Sequence, residues 1–242
     1  MFRHKGKSRT HIHNLRLAAI LSFVAGLVNI TGVLSVHALV TNVTGHFAFF
    51  AEDVFSKTFS SAIIYLWFIL SFLFGSFSSN LLVEIISRKR EQISHTLPML
   101  IEIVVLSGIG LCGANLLQHG QSNLIAYALL FAMGMQNALV TKISSSRVRT
   151  THLTGLFTDL GIELSQLFFF KQSLEQKQLH KSIFLRFIII LFFFLGCVLG
   201  GFSYKVYALK TLLFAAACLV VALYYDQIRH QYYHLRRKID ER

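Results

Sequence analysis

The chain is poor in charged residues, and those it has are mostly of one sign. Only 14% of its 242 residues are Asp, Glu, Lys or Arg, whereas 54% are hydrophobic and the mean hydropathy is +0.59. This composition excludes an ordinary water-soluble domain, because so apolar a chain cannot cover its surface with polar groups. Acidic residues number 11 against 23 basic ones. We attribute that excess to membrane topology and expect no binding to nucleic acid.

Cysteine and recognisable catalytic motifs are also scarce. The three cysteines, Cys112, Cys197 and Cys218, all lie in apolar stretches. There they pack as small hydrophobic side chains, which excludes a secreted-type disulfide framework. The chain has no H-E-x-x-H motif, no glycine-rich phosphate loop and no Ser-His-Asp order. We therefore expect no enzymatic activity, no bound metal and no cofactor.

Long apolar stretches fill most of the chain. At roughly 20 apolar residues per membrane-spanning helix, they predict six spans. All should be helical, because a backbone in lipid must satisfy its own hydrogen bonds and no segment alternates like a barrel strand. The stretches are Leu17–Val36, Ser61–Val83, Leu97–Leu117, Leu124–Val140, Phe187–Tyr204 and Thr211–Tyr225.

The sequence also repeats itself, and such repeats are informative about architecture. The run Phe23-x-x-Gly26-x-x-Asn29, then Thr41-x-x-Thr44-Gly45-x-Phe47, recurs as Phe131-x-x-Gly134-x-x-Asn137, then Thr151-x-x-Thr154-Gly155-x-Phe157. A carboxylate stands eight residues past each Thr-Gly pair, Asp53 in the first copy and Glu163 in the second.

Weaker similarity links the second predicted span to the fifth. Phe72-Leu73-Phe74-Gly75-x-x-x-Ser79 resembles Phe194-Leu195-Gly196-x-x-x-Gly200. Each is a face of small residues on which another helix approaches closely.

The repeat and the charges together predict a topology. Each copy holds three spans, residues 17–118 and 123–225, and an odd number of spans inverts one copy relative to the other. Basic residues are concentrated in the tails, 1–16 and 226–242, and in the connections that follow the second and fourth spans. The positive-inside rule then puts both termini in the cytoplasm. We do not expect a cleaved signal peptide, because cleavage would remove Asn29 from the repeat.

A further helix is predicted after each Thr-Gly pair, following the first and fourth spans. Apolar residues recur at helical spacing from Leu153 to Phe168 and leave polar residues on the other face, which predicts an amphipathic helix. Thr151 or Thr154 is expected to cap its start. Two placements stay open: the helix lies flat at the interface, or it re-enters the membrane and points its N-terminus at a central cavity, where an anionic group would be favoured.

These motifs supply the candidate site residues. We predict that substrate contacts come from Asn29 and Asn137, inside apolar spans, and from the Thr-Gly segments with Thr41, Thr44, Gly45, Thr151, Thr154 and Gly155. Candidates for ion coupling are Asp53, Asp159 and Glu163, as carboxylates within membranes often bind a proton or cation. The alternatives are that the two Asn residues only join helices and that the carboxylates are solvated. Glu102, inside the third span, is interpreted as favoured by the helix dipole.

Three runs carry a resemblance to a known family: Gly134-Met135-Gln136-Asn137-Ala138, Val148-Arg149-Thr150-Thr151-His152-Leu153-Thr154-Gly155 with Asp159, and Thr41-Asn42-Val43-Thr44-Gly45. Through them the chain resembles, over nearly its whole length, the YoaK-like family of bacterial inner-membrane proteins, a domain of unknown function. His46 departs from the family pattern, which usually has Asn there. The resemblance implies a multi-span protein of the bacterial inner membrane that moves small metabolites, and it names no substrate.

The sequence thus favours an all-helical membrane protein with a 3+3 inverted repeat that transports an unknown small molecule by alternating access. Its expected partners are the lipid bilayer and that substrate, and a homo-oligomer is compatible with it. A passive channel and a non-transporting scaffold or assembly factor are the alternatives.

Overall fold

A computed structural model describes residues 11–90, 94–144, 148–169 and 173–240; the first ten residues of the predicted basic tail and the last two of the chain lie outside them. The described residues form helices and no strand. A short 3-10 turn, Ala208–Lys210, joins the last two helices. The helices are α1 (His11–Val36), α2 (Val43–Phe55), α3 (Phe59–Arg90), α4 (Thr96–Gln118), α5 (Ser122–Ser144), α6 (Leu153–Gln166), α7 (Ser173–Tyr207) and α8 (Thr211–Asp240).

Several helices are long and apolar enough to cross a membrane, which is compatible with a multi-pass membrane protein. Among the described residues there are five such segments, the last of them a continuous stretch of 51 residues that contains both α7 and α8. They are Ile12–Val36, Phe59–Arg88, Thr96–Gln118, Ser122–Ser144 and Glu175–Tyr225. The outer surface of the bundle is also apolar, as expected for a surface in contact with lipid. Large apolar side chains such as Leu73, Phe74 and Phe77 on α3 are 60–62% exposed.

The six long helices run in two directions. On the evidence of their contacts, α1, α4 and α7 run one way and α3, α5 and α8 the other. The bundle therefore has two ends. The α2 end contains Val36, the last residue of α1, and helix α2; the α6 end contains Ser144, the last residue of α5, and helix α6. The amphipathic helices thus lie at opposite ends, α2 against α3 and α6 against α7.

Glycines bring two pairs of helices into backbone contact. A Cβ added to Gly26 of α1 would lie 2.0 Å from the carbonyl oxygen of Phe193 in α7, and one added to Gly196 would lie 2.1 Å from that of Phe23. No L side chain fits there, because the clash is with backbone. The close approach predicted for the small residues of the fifth span, in α7, is confirmed, and α1 is the helix that approaches.

The α3–α5 pair repeats this arrangement. A Cβ on Gly75 would lie 2.1 Å from the carbonyl oxygen of Phe131, and one on Gly134 would lie 2.2 Å from that of Phe72. All four helices therefore meet through a Phe-x-x-Gly motif, each glycine against the carbonyl of the partner's phenylalanine.

A side-chain hydrogen bond accompanies each of these contacts. The residue after Gly75, Ser76, donates to the carbonyl of Gly134 at 3.1 Å. The residue after Gly196, Cys197, donates its thiol to the carbonyl of Gly26 at 3.3 Å. The two helix contacts thus match in individual atoms as well as in outline.

Candidate functional site

The first Thr-Gly segment is fastened to α1. Asn29 Oδ1 accepts hydrogen bonds from the Thr41 hydroxyl at 2.9 Å and from the Thr41 backbone N–H at 3.3 Å. Asn42 is the N-cap of α2, and its side chain accepts from the Gly45 N–H at 3.2 Å. Thr44 is exposed. In this copy Asn29 and Asn42 hold the segment in place and satisfy free backbone donors.

The second Thr-Gly segment is held differently. The N-cap of α6 is His152, which makes no side-chain capping bond, so the predicted cap from Thr151 or Thr154 is wrong. A Cβ on Gly155 would lie 2.3 Å from atoms of the His152 ring, which places this imidazole over the start of the helix. Among the described residues, Asn137 Oδ1 is buried without a hydrogen-bond partner. The bond that Asn29 makes in the first copy therefore has no equivalent in the second.

The two predicted Asn residues do not share one position. Gln136 Nε2, next to Asn137, donates to the carbonyl of Leu21 in α1 at 2.7 Å. Because α1 and α5 are antiparallel, Asn29, eight residues past Leu21, lies about 12 Å further along the bundle in the opposite direction. Asn29 lies towards the α2 end, where it bonds its Thr-Gly segment, and Asn137 lies towards the α6 end.

An aromatic cluster lies at the α2 end. His46 is 2% exposed and its ring centroid lies 5.0 Å from that of Phe68 and 6.1 Å from that of Tyr65. Phe49 stacks on Tyr65 at 5.3 Å, and Tyr127 of α5 meets Phe68 at 5.4 Å. These five residues, His46, Phe49, Tyr65, Phe68 and Tyr127, are called the ring cluster below.

The His46 ring is held in one tautomer. Its Nε2 lies 2.9 Å from the carbonyl oxygen of Leu39, which only accepts, so Nε2 carries the proton. Nδ1 is buried without a partner among the described residues. Burial lowers the pKa of His46 below the ordinary 6.5, although the bond to Leu39 opposes this. His46, the departure from the family pattern, is therefore a neutral member of the ring cluster at pH 7.

An ionic cluster occupies the α6 end. Arg186 of α7 donates to Glu163 at 2.7 Å and to Asp159 at 3.0 Å, and Ser182 donates to Glu163 at 2.7 Å. Arg186 also donates to Ser182. The exposed side-chain fractions are 21% for Arg186, 15% for Glu163 and 53% for Asp159. These four residues form the ionic cluster, in which two of the predicted ion-coupling carboxylates share one guanidinium.

The third predicted carboxylate, Asp53, lies elsewhere. Its Oδ1 accepts from the Thr58 hydroxyl at 2.9 Å, in the turn between α2 and α3. It is at the α2 end and does not contact the ionic cluster.

The ring cluster and the ionic cluster occupy matching positions. Phe49 and Asp159 each stand four residues past the glycine of their Thr-Gly pair, and Tyr65 and Arg186 each stand ten residues before the glycine of their Phe-x-x-Gly motif. The Phe49–Tyr65 stack joins α2 to α3, and the Asp159–Arg186 ion pair joins α6 to α7. The same contact is aromatic at one end and charged at the other.

A cavity of about 760 Å³ opens beside the ionic cluster. Its wall contains three basic residues, of which Arg149 and Lys181 are exposed and form no ion pair among the described residues. The lining residues are Asn14, Arg149, His152, Gly155, Leu156, Asp159, Gln178, Lys181, Ser182, Leu185 and Arg186. The cavity joins α1, the start of α6 and the first turns of α7, and it is large enough for a small ligand.

Sequence reasoning missed Arg186. The residue stands immediately before the apolar run that starts at Phe187, so it was left outside the predicted span. A cation at the edge of a long apolar helix, opposite the carboxylates of an amphipathic one, was the available signal.

The comparisons with known proteins agree with the sequence resemblance. No curated protein and no solved structure matches the chain. One family model, described as "Protein of unknown function (DUF1275)", matches residues 17–225, which include both Thr-Gly segments and both clusters. The resemblance to the YoaK-like family is consistent with that match. The chain belongs to the DUF1275 family.

Proposed function

We propose that this protein is a secondary transporter of a small molecule, built as a 3+3 inverted repeat of six spans. The observation that carries the proposal is the matched construction of the two ends, with packed rings at one and a charged cavity at the equivalent place of the other. Alternating access requires two such ends that exchange their states around one central region.

The helix contacts support the inverted repeat. The α1–α7 contact through Gly26 and Gly196 is repeated by α5–α3 through Gly134 and Gly75. The hydrogen bonds of Cys197 and Ser76 are also equivalent when the two halves of the chain are interchanged. In addition, α2 packs on α3 as α6 packs on α7, and α4 packs on α5 as α8 packs on α1. Exchange of the two halves therefore leaves the set of helix contacts unchanged.

Length supports six spans. The apolar segment Glu175–Tyr225 has 51 residues and would measure about 77 Å as one straight helix, against a hydrocarbon core of about 30 Å. It is interrupted at Ala208, whose φ of 47° is outside the helical region. Helix α8 then runs back and packs against α4 and α1. Two spans joined at Ala208 fit this segment.

The state of the two ends favours a protein open on one side. At the α2 end the rings of the ring cluster pack on one another, whereas the equivalent place at the α6 end borders the cavity. The bond between Asn29 and Thr41 is made, and Asn137 Oδ1 has no partner among the described residues. We propose that Asn137 forms a hydrogen bond with the second Thr-Gly segment when the α6 end closes and that the bond between Asn29 and Thr41 then opens.

The proposed location is the bacterial inner membrane, with both termini and the α6 end in the cytoplasm. The uneven distribution of Lys and Arg supports this orientation. The cavity would then be open to the cytoplasm.

Cysteine accessibility in a variant that lacks the three natural cysteines tests the exchange. Gln178→Cys lies on the cavity wall, and Ala38→Cys is buried at the α2 end, where Ala38 is 2% exposed. In nanodiscs, which expose both faces of the membrane to the reagent, a maleimide should label position 178 quickly and position 38 slowly. A metabolite that raises the unfolding temperature should change the two rates in opposite directions, and the same metabolite should show saturable uptake into vesicles.

Other outcomes contradict the proposal. Flux without saturation would indicate the passive channel. Absence of flux for every stabilising metabolite, with no reciprocal change in labelling and a protein partner that co-purifies in fixed proportion, would indicate the scaffold.

A further inference from the structure

We infer that the cavity at the α6 end binds a small organic anion, through Arg149, Lys181 and the start of α6. The cavity is a substrate site only if the protein is the proposed transporter. Anion binding to the cavity does not depend on transport and can be tested by itself.

The first argument for an anion is the charge of the cavity wall. Arg186 is already shared by Asp159 and Glu163. Arg149 and Lys181 have no ion-pair partner within the described part of the chain and are exposed on the wall. A ligand in this cavity therefore meets two cations that form no ion pair with a described residue. Arg186 with its two carboxylates carries one surplus negative charge, so the two cations leave the group net positive, which favours a negatively charged ligand.

The second argument for an anion is the start of α6, where backbone N–H groups, and no side chains, are the donors. The first N–H groups of a helix have no acceptor within the helix. At the α2 end the Asn42 side chain accepts from the N–H of Gly45. At the α6 end His152 provides no such bond, and Gly155 lies on the cavity wall. An anionic oxygen placed there would take the role of the Asn42 oxygen.

The size and setting of the cavity define the ligand class. A volume of about 760 Å³ suits a metabolite with several carbon atoms. Carboxylate and phosphate groups both fit the donors. Phosphate oxygens come from soluble metabolites or from anionic lipid headgroups, and we assign the cavity to a soluble anion.

Binding to the full-length protein in a neutral detergent tests the inference. The probes are succinate, citrate and inorganic phosphate, with succinamide as the uncharged analogue of succinate and phosphatidylglycerol as the lipid. We expect at least one soluble anion to raise the unfolding temperature and succinamide to leave it unchanged. In the double variant Arg149→Gln/Lys181→Gln the dissociation constant of that anion should rise about tenfold or more.

Lys177→Gln is the matched control. Lys177 stands one turn before Lys181 on α7, is exposed and does not line the cavity. This variant removes one positive charge, as the single variant Lys181→Gln does, so an equal loss of affinity in these two variants would mean that general electrostatic attraction, and no built site, explains the binding.

Each remaining outcome is decisive. Equal stabilisation by succinamide, or by phosphatidylglycerol alone, overturns the soluble anion. Saturable flux of a neutral solute that the double variant leaves unchanged overturns the anion site and keeps the transporter. Anion binding that the double variant weakens, without flux of that anion in vesicles, keeps the site and overturns the transporter.

Discussion

Replacement of Gly196 by alanine should separate α1 from α7. The added Cβ would lie 2.1 Å from the Phe23 carbonyl oxygen, whereas a carbon and a carbonyl oxygen normally approach to about 3.3 Å. The helices must therefore move apart by about 1 Å, because a backbone atom cannot rotate away as a side chain does. We expect a loss of about 2–3 kcal/mol in the free energy of unfolding, even though alanine favours a helix by about 1 kcal/mol over glycine.

The assay is equilibrium unfolding in mixed micelles, with Gly108→Ala as the control. Gly108 lies in α4, and a Cβ there meets nothing within 4 Å. That variant should be neutral or more stable by up to about 1 kcal/mol. Gly26→Ala should resemble Gly196→Ala, and the double variant should lose less than the sum, since the first substitution already separates the helices. Equal stability of Gly196→Ala and Gly108→Ala would refute the backbone contact.

Three further predictions concern the ionic cluster, the ring cluster and the two Asn residues of the repeat. Arg186→Gln should destabilise by about 2–3 kcal/mol because it leaves two carboxylates facing each other, and the additional change Glu163→Gln should recover part of the loss in the same unfolding assay; no recovery would contradict the ionic cluster. Below pH 6.5, stability should fall, because the lowered pKa of folded His46 means that the unfolded chain binds more protons in that window; His46→Gln should flatten this pH profile, and an unchanged slope would refute the assignment. Asn29→Ala should lower the free energy of unfolding by about 1–2 kcal/mol, because Asn29 accepts two hydrogen bonds, and Asn137→Ala should lower it less. A larger loss for Asn137→Ala in thermal unfolding would contradict the difference between the two Asn residues.

The helix contacts were predictable from the sequence because they depend on local pattern. A Phe-x-x-Gly motif within an apolar run marks a helix face with room for a neighbour, and Gly26, Gly75, Gly134 and Gly196 confirm it. The same motifs did not reveal which helix is the neighbour. That choice depends on packing between distant parts of the chain.

The site was less predictable, for physical reasons that particular residues illustrate. The repeat singles out Glu163, and the amphipathic pattern singles out Asp159, but their guanidinium partner Arg186 lies on another helix, which a local pattern does not reveal. Thr154 has the side chain of a good cap, yet the chain turns at His152 and leaves that hydroxyl without a capping role. Asn29 and Asn137 are equivalent in sequence, but antiparallel helices carry equivalent positions to opposite ends.

The two ends of the bundle should respond differently to salt, because equivalent positions hold a ring stack at one end and an ion pair at the other. Dissolved salt weakens attraction between partly exposed charges and leaves apolar contacts intact or stronger. Asp159 is half exposed in its pair with Arg186, whereas the Phe49–Tyr65 contact carries no charge. Rising ionic strength should therefore weaken the contact of α6 with α7 through Asp159 and leave that of α2 with α3 unchanged. If the proposed alternation occurs, the ionic composition at the α6 end should shift the balance between the two conformations, while that at the α2 end should not.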